Sequence, residues 1–160
     1  MDEEERKKLL GLLGEPPKES EETVMYSPSG SPEDLPDSFD WRYLHGENYV
    51  TSIKDQASCG SCWAFGAVAA LEGSANAFYN NPALDLNLSE QDLVSCYHGT
   101  GCSGATASQI EQIFSNYYQT NGVPTEECFP YTATNNNCAN RCANWQNGAW
   151  KIISYKGSEL

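Results

Sequence analysis

Residues 56–65 read QASCGSCWAF, and this stretch decides how the rest of the chain is interpreted. Cys62 stands where an Ala-rich apolar segment begins, so the pattern predicts a cysteine in the first turn of a helix. The positive end of a helix dipole favours thiolate, the nucleophilic form of that side chain. Backbone N–H groups at the helix start and the side-chain amide of Gln56 can both donate hydrogen bonds to a developing oxyanion. The stretch therefore carries groups that attack an amide carbonyl and hold the tetrahedral intermediate.

The segments after this stretch predict three helices and one strand. The first helix begins at Ser61 or Cys62 and ends before Asn80, and its continuous apolar residues predict burial on most sides. Ser89 is predicted to cap the second helix. The second and third helices are predicted over 89–96 and 105–118, and WKIISY at 150–155 is predicted to form a strand.

Charge and composition exclude some classes of function. The 160 residues carry 22 acidic and 9 basic side chains, for a net charge of −13. Nucleic-acid binding needs a basic face, and anionic lipid surfaces attract basic segments, so neither kind of partner is expected. No apolar run approaches the ~20 residues that span a bilayer. The composition predicts neither a nucleic-acid nor a membrane partner.

Seven cysteines point to an oxidising compartment. They stand at Cys59, Cys62, Cys96, Cys102, Cys128, Cys138 and Cys142. Disulfides persist in secreted proteins, and an odd count leaves at least one thiol outside them. Two other interpretations use the same residues: a C-x-x-C redox motif at Cys59 and Cys62, and a zinc site at Cys128, Cys138 and Cys142. The first lacks a preceding βαβ pattern, and the second lacks paired C-x-x-C spacing.

The first 34 residues differ in composition from the rest. They hold ten acidic and four basic side chains, four prolines and no cysteine. Such a segment is predicted to be an acidic flexible tail, or the end of a cleavable pro-segment. Its acidic start and short apolar stretch do not match a signal peptide.

Four further motifs follow in order along the chain. They are LPDSFDWR at 35–42, LSEQDLVSC at 88–96, GCSGA at 101–105 and ECFPYTA at 127–133. Together with CGSCW they resemble the papain family of cysteine peptidases over 35–160. The finer pattern is most similar to cathepsins C and X and to multidomain microbial secreted relatives. The resemblance implies an α+β fold: a mostly helical left domain with disulfides, plus the first strand of a β-rich right domain.

The resemblance also implies roles for individual residues. Cys62 would be the nucleophile and Gln56 the side-chain oxyanion donor, with no metal or organic cofactor. Ala105 stands where the family usually has a second glycine, and its methyl group would either crowd a substrate pocket or be accommodated. The implied substrate contacts are Gly60, Ser61, Trp63, Gly104 and Ala105. The implied disulfides are Cys59–Cys102, Cys96–Cys138 and Cys128–Cys142.

The catalytic partners are expected beyond the residues present. Family members place a His and an Asn roughly 130–150 residues after the cysteine, and 98 residues follow Cys62. His45 and His98 both fall in predicted loops, and neither is expected to be the base. The chain is therefore expected to act on peptide or protein substrates only with a C-terminal half that supplies both partners, in a secreted or lysosome-like compartment. The alternative is a non-catalytic peptide-binding or regulatory half-domain, or one chain of a split enzyme.

Overall fold

The computed structural model describes residues 38–97, 101–153 and 155. Its helices are joined by long irregular segments, and within these ranges the only β-pairing consists of isolated antiparallel bridges. The α-helices are α1, Cys62–Phe78; α2, Glu90–Cys96; α3, Ala107–Gln112; and α4, Tyr118–Thr120. A π-helical segment, Ile113–Tyr117, joins α3 to α4, and short 3₁₀ turns span Gly101–Ser103, Cys138–Asn140 and Trp145–Gly148.

The longest helix, α1, buries one stripe against α2 and exposes the opposite face. Ala69 and Phe78 are exposed, so the prediction of burial on most sides was wrong. Alanine and glycine on both faces give little polar contrast, which left the exposed face unmarked in the sequence. The helix ends as predicted before Asn80, which adopts a left-handed φ of 46°. The buried stripe consists of Trp63, Ala64, Ala67, Val68, Leu71, Glu72, Ala75 and Asn76.

The shorter helices begin at side-chain caps. Ser89 accepts a hydrogen bond from the N–H of Asp92 at 3.1 Å, which confirms it as the cap of α2. Thr106 and Gln109 form a reciprocal capping box, so the third helix begins two residues later than predicted. It also continues through the π-helical segment to Thr120, past the predicted end.

Three disulfides hold the irregular segments. Cys59–Cys102 joins the segment before α1 to the 3₁₀ turn after α2, Cys96–Cys138 joins α2 to the long loop, and Cys128–Cys142 closes that loop on itself. These are the three pairs that the resemblance implied. The two longer links close 43 and 42 residues of chain, a span for which loop-closure entropy predicts about 4 kcal/mol each.

The strand predicted at 150–155 is reduced to a single bridge in the described residues. Trp150 and Val123 exchange both backbone hydrogen bonds, at 2.8 and 2.9 Å. Two residues on, the N–H of Ile152 turns to the carbonyl of Tyr118 in α4. The segment thus bonds to a helix instead of a second strand. Gly122, at φ 74°, permits the approach, because a Cβ there would lie 2.6 Å from the Trp150 oxygen.

The hydrophobic core lies between α1, α2 and the third helix. It contains Val68 and Leu71 from α1, Leu93 from α2, and the fully buried Ile113 and Tyr118. The core therefore fixes α1, and with it the position of Cys62.

None of the helices in the described part of the chain has the length and apolar character needed to cross a bilayer.

Candidate active site

Cys62 is the first residue of α1, and its side chain is an exposed thiol. The other six cysteines are in the three disulfides. The first turn of α1 contains no acidic residue, and the preceding Ser61 makes no side-chain cap to it. The N–H groups of a first turn point out of the helix end and carry a partial positive charge. The sulfur of Cys62 therefore lies at the positive end of a 17-residue helix.

The loop before α1 is fixed to its surroundings by bonds at Cys59 and Gly60. The Cys59–Cys102 disulfide is one, and the Gly60 N–H donates to the Cys102 carbonyl at 3.1 Å. The side-chain amide of Gln56 donates to the carbonyl of Cys59 at 2.9 Å. Ala57, between them, has a left-handed φ of 50°, a conformation that costs a non-glycine residue about 1 kcal/mol. These bonds hold the Gln56 side chain against Cys59, three residues before α1 begins. The role of Gln56 as an oxyanion donor stays a prediction.

Tyr131 reaches this loop from the long irregular segment. Its hydroxyl donates to the carbonyl of Gln56 at 2.8 Å and lies 2.6 Å from the hydroxyl of Ser61. Its ring packs edge-on against Phe65 of α1, with ring centroids 4.9 Å apart. Sequence analysis quoted this residue within ECFPYTA but gave it no role. The motif supported the family resemblance. It did not indicate the two hydroxyl contacts, which join residues 70 or more positions apart.

The residues predicted to contact substrate are all buried. Trp63 packs beside Tyr97 and donates its indole N–H to the Gly101 carbonyl at 3.2 Å. Ala105 is fully buried in the core cluster, which accommodates its methyl group. The burial assigns these side chains first to packing around the nucleophile loop. The five residues with this burial are Gly60, Ser61, Trp63, Gly104 and Ala105.

An ion cluster with two buried carboxylates joins α1 to α2. The Lys54 ammonium contacts Glu72 of α1 at 3.1 Å and Glu90 of α2 at 2.7 Å. Burial raises the pKa of Glu90, and the bond to Lys54 only partly offsets it. Burial alone would lower the pKa of Lys54, but the hydrogen bond and charge of Glu90, with those of Glu72, outweigh it and raise that pKa. Glu126, close by, also has its pKa raised by burial.

A second ion pair fixes the long loop to α2. The guanidinium of Arg141 contacts the carboxylate of Asp92 at 2.5 Å and stacks 3.9 Å over the ring of Trp145. Tyr117 donates its hydroxyl to the same carboxylate at 2.8 Å. Burial raises the pKa of Asp92 despite the pairing with Arg141, and burial with the nearby Asp92 charge raises the pKa of Tyr117. Sequence analysis identified none of these partners.

The cysteine pairing argues against the two other interpretations. Cys59 is bonded to Cys102 and not to Cys62, so the C-x-x-C spacing does not form a redox disulfide. Cys128, Cys138 and Cys142 are all disulfide-bonded and provide no thiolate for zinc. Within the ranges described, no cluster of His, Cys, Asp and Glu has a metal-binding arrangement. His45 lies exposed in a turn, and His98 falls outside the described residues.

Comparisons with known proteins agree with this geometry. A family profile described as papain family cysteine protease matches residues 35–159. The chain is 36% identical over 133 residues to a cathepsin L-like proteinase of Fasciola hepatica, covering 79% of this chain and 37% of that protein. The finer resemblance to cathepsins C and X stays a prediction.

Two solved structures share the fold. One is a digestive procathepsin L2 proteinase from the larval midgut of Tenebrio molitor, with a TM-score of 0.68, 28% identity, and coverage of 93% of this chain and 46% of that one. The other is a cysteine protease of Carica candamarcensis in complex with E-64, with a TM-score of 0.58, 29% identity, and coverage of 75% and 51%. The chain thus spans about a third to a half of the length of the relatives it matches.

Proposed function

This chain belongs to the papain family of cysteine proteases, and on that premise we propose that it supplies the nucleophile and the oxyanion-binding groups of a peptidase active site. The single observation that carries the proposal is the exposed Cys62 thiol at an α1 start with neither a side-chain cap nor an acidic first turn. Residues 35–160 would form the N-terminal half of the peptidase domain, and residues 1–34 the end of a pro-segment or a flexible tail.

The reaction begins when the sulfur of Cys62 attacks the carbonyl carbon of a peptide substrate. A C–S bond forms, and the carbonyl electron pair moves to oxygen. The resulting oxyanion accepts hydrogen bonds from the Cys62 N–H and from the side-chain amide of Gln56. Collapse breaks the C–N bond, the amine leaves with a proton, and a thioester remains for water to hydrolyse. Peptides or proteins are therefore the proposed substrates.

The proton of the Cys62 thiol needs an acceptor, and neither Gln56 nor the backbone N–H of Cys62 can be one. His45 is exposed in a turn before α1, and the family resemblance assigns it no catalytic role. The matched relatives are two to three times as long as the region that this chain covers. We therefore expect the His base and its orienting Asn in a further segment, and negligible turnover by residues 1–160 alone.

Turnover of a fluorogenic dipeptide amide tests this function. The complete protein that carries these residues should hydrolyse the amide, and Cys62→Ser should reduce kcat at least about 10³-fold, since losing a nucleophile removes most of the rate enhancement. Residues 1–160 alone should show no turnover above background. Hydrolysis that persists in Cys62→Ser would overturn the proposed role of Cys62.

The same assay separates the alternative function. A peptide-binding or regulatory half-domain would bind peptides but show no turnover in any complex, with or without Cys62. A split enzyme would gain turnover when its second chain is added. For either alternative, the three disulfides and the cathepsin-type relatives support a secreted or lysosome-like compartment.

A further inference from the structure

One tyrosine hydroxyl lies between the two parts of the site that would hold the oxyanion. The oxygen of Tyr131 is 2.8 Å from the carbonyl oxygen of Gln56 and 2.6 Å from the hydroxyl of Ser61. A carbonyl can only accept, and a phenol has a single hydrogen to give. Tyr131 therefore donates to Gln56 and accepts from Ser61. The Ser61 hydroxyl also lies 3.4 Å from the Cys59 carbonyl, and the contact to Tyr131 is the shorter of its two. The three groups form a directed chain of hydrogen bonds.

The hydrogen-bond chain through Tyr131 includes Ser61, the residue that precedes α1. A serine before a helix ordinarily accepts a hydrogen bond from an N–H of the first turn. Ser61 is fully buried, and its hydroxyl makes no such cap. The hydroxyl instead contacts that of Tyr131 at 2.6 Å and the Cys59 carbonyl at 3.4 Å. Among the first-turn N–H groups, that of Ala64 donates to the Ser61 carbonyl at 2.8 Å, and none donates to the Ser61 hydroxyl.

The same chain also fixes Gln56. Its carbonyl accepts from Tyr131, and its side-chain amide donates to the Cys59 carbonyl at 2.9 Å. The backbone carbonyl and the side-chain amide of Gln56 are thus both hydrogen-bonded, and the next residue, Ala57, has a left-handed φ. A shift of the carbonyl would rotate the residue and move the amide with it.

Tyr131 is itself held in place from two other directions. Its ring contacts Phe65 edge-on, and its backbone N–H donates to the carboxylate of Glu126 at 2.6 Å. A tyrosine keeps its proton at neutral pH, and burial raises the pKa of Tyr131 further. The hydroxyl is therefore a persistent donor in a fixed position.

We propose that Tyr131 is a positioning residue for oxyanion stabilisation: its one hydroxyl fixes the backbone carbonyl of Gln56 and the hydroxyl of Ser61 on either side of the start of α1. The inference rests on the proposed peptidase function. It adds a residue that acts through Gln56 and Ser61 and does not itself touch the substrate.

Two thiol reagents test this role in the complete protein with Tyr131→Phe. A peptide aldehyde adds to Cys62 to form a C–S bond, and its carbonyl oxygen takes up the thiol proton or remains anionic in the oxyanion position. Iodoacetamide alkylates the same sulfur by displacing iodide, and no oxyanion forms. Because the donors would be displaced but not deleted, we expect aldehyde affinity to fall about tenfold, less than the 10²–10³ for removing a donor. The alkylation rate should change less than about twofold.

Tyr49→Phe provides a matched control. The Tyr49 hydroxyl donates to Asn80 at 2.8 Å, next to the far end of α1. The control should change neither the aldehyde affinity nor the alkylation rate. Thermal melting of both variants measures any loss of stability separately from these readouts.

The outcomes distinguish this inference from the proposed function. If wild type binds the aldehyde and Tyr131→Phe binds it equally tightly, the positioning role is wrong and the peptidase function stands. Equal losses in aldehyde affinity and alkylation rate would indicate a general disturbance and also overturn the role. If Cys62 of the wild type binds no aldehyde, the proposed function itself fails, and the inference fails with it.

Discussion

Two helices of this protein are each preceded by a buried serine, and the two serines do different things. Ser89 accepts a hydrogen bond from the first turn of α2 and donates its own hydrogen to the Phe129 carbonyl at 2.6 Å. Ser61 leaves the first turn of α1 uncapped and contacts Tyr131 instead. The first turn of α2 also contains Glu90 and Asp92, whereas that of α1 contains no acidic residue.

The difference shows how one local sequence feature yields a structural or a functional helix start. At α2, a cap and two carboxylates satisfy the positive end, and their partners Lys54 and Arg141 fix the helix in the fold. At α1, the first turn has no acidic residue and no side-chain cap, so the positive end remains suited to an anion. Both serine hydroxyls contact a distant loop, at Phe129 and at Tyr131, and only that of Ser89 also accepts from the first turn of its helix.

The largest expected effect is at the start of α2. Arg141→Ala would leave the fully buried Asp92 without its cation. Removing one partner of a buried pair costs about 3–5 kcal/mol, because the remaining charge is uncompensated. Chemical denaturation should show this loss in the free energy of unfolding.

An exposed ion pair supplies the control for that substitution. Arg42 pairs with Asp40 at 2.5 Å on the surface. Water already solvates both groups, so Arg42→Ala should leave the denaturation midpoint unchanged. Equal losses in the two arginine variants would contradict the structural role assigned to the start of α2.

The two serines should differ in their contributions to stability. Ser89→Ala removes a cap and a buried hydrogen bond to Phe129, and we expect a loss of about 1–2 kcal/mol. Ser61→Ala removes no cap and should cost about 1 kcal/mol or less. Thermal melting of the two variants side by side measures the difference. A larger loss for Ser61→Ala would mean that its hydroxyl caps α1 in solution.

The buried carboxyls predict that stability depends on pH. The pKa values of Glu90, Asp92 and Glu126 are raised by burial, so between the ordinary and the raised pKa the folded chain binds more protons than the unfolded chain. Stability then falls as pH rises through that interval, above the ordinary carboxyl pKa of about 4. The melting temperature should therefore be higher near pH 5 than near pH 7.

Glu90→Gln tests which residues cause that dependence. The amide cannot ionise, so the variant should show a shallower decline of melting temperature with pH than wild type. A melting temperature that rises steadily from about pH 5 to pH 7 would show that pairing with Lys54 outweighs burial in setting the pKa of Glu90.

The smallest expected effect is the coupling between Ser61 and Tyr131. The two hydroxyls share one hydrogen bond, so Ser61→Ala and Tyr131→Phe should not add in their effects on stability. We expect a coupling energy of about 0.5–1 kcal/mol from a double-mutant cycle. Strict additivity would mean that the 2.6 Å contact does not persist in solution.

The sequence was informative where local chemistry decides the structure. The C-terminal end of α1 depends on Asn80, and the cap of α2 depends on Ser89. The conformational preferences of these residues are local, and the helix end and the cap were both predicted correctly. The family resemblance anticipated the disulfide pairs, which the cysteine count alone left open among 15 arrangements. The helix ends need no knowledge of distant contacts, whereas the disulfide pairs came from the family resemblance.

The features that were missed depend on contacts between distant segments. Tyr131, Lys54 and Arg141 each act on residues 18 to 75 positions away. The described residues of 150–155 contain no strand for the same reason, since a strand needs a partner and the segment bonds partly to α4. Hydrophobic pattern gives no information about such partners.

We propose that the start of α1 and Gln56 together form an oxyanion site beside a nucleophilic thiol. The most direct test of this proposal is the affinity of a peptide aldehyde for the complete protein with and without Gln56→Ala, alongside the rate of iodoacetamide alkylation at Cys62. We predict an affinity loss of about 10²-fold, typical for removing one oxyanion donor, with the alkylation rate unchanged. Equal aldehyde affinity in the two proteins would contradict the claim.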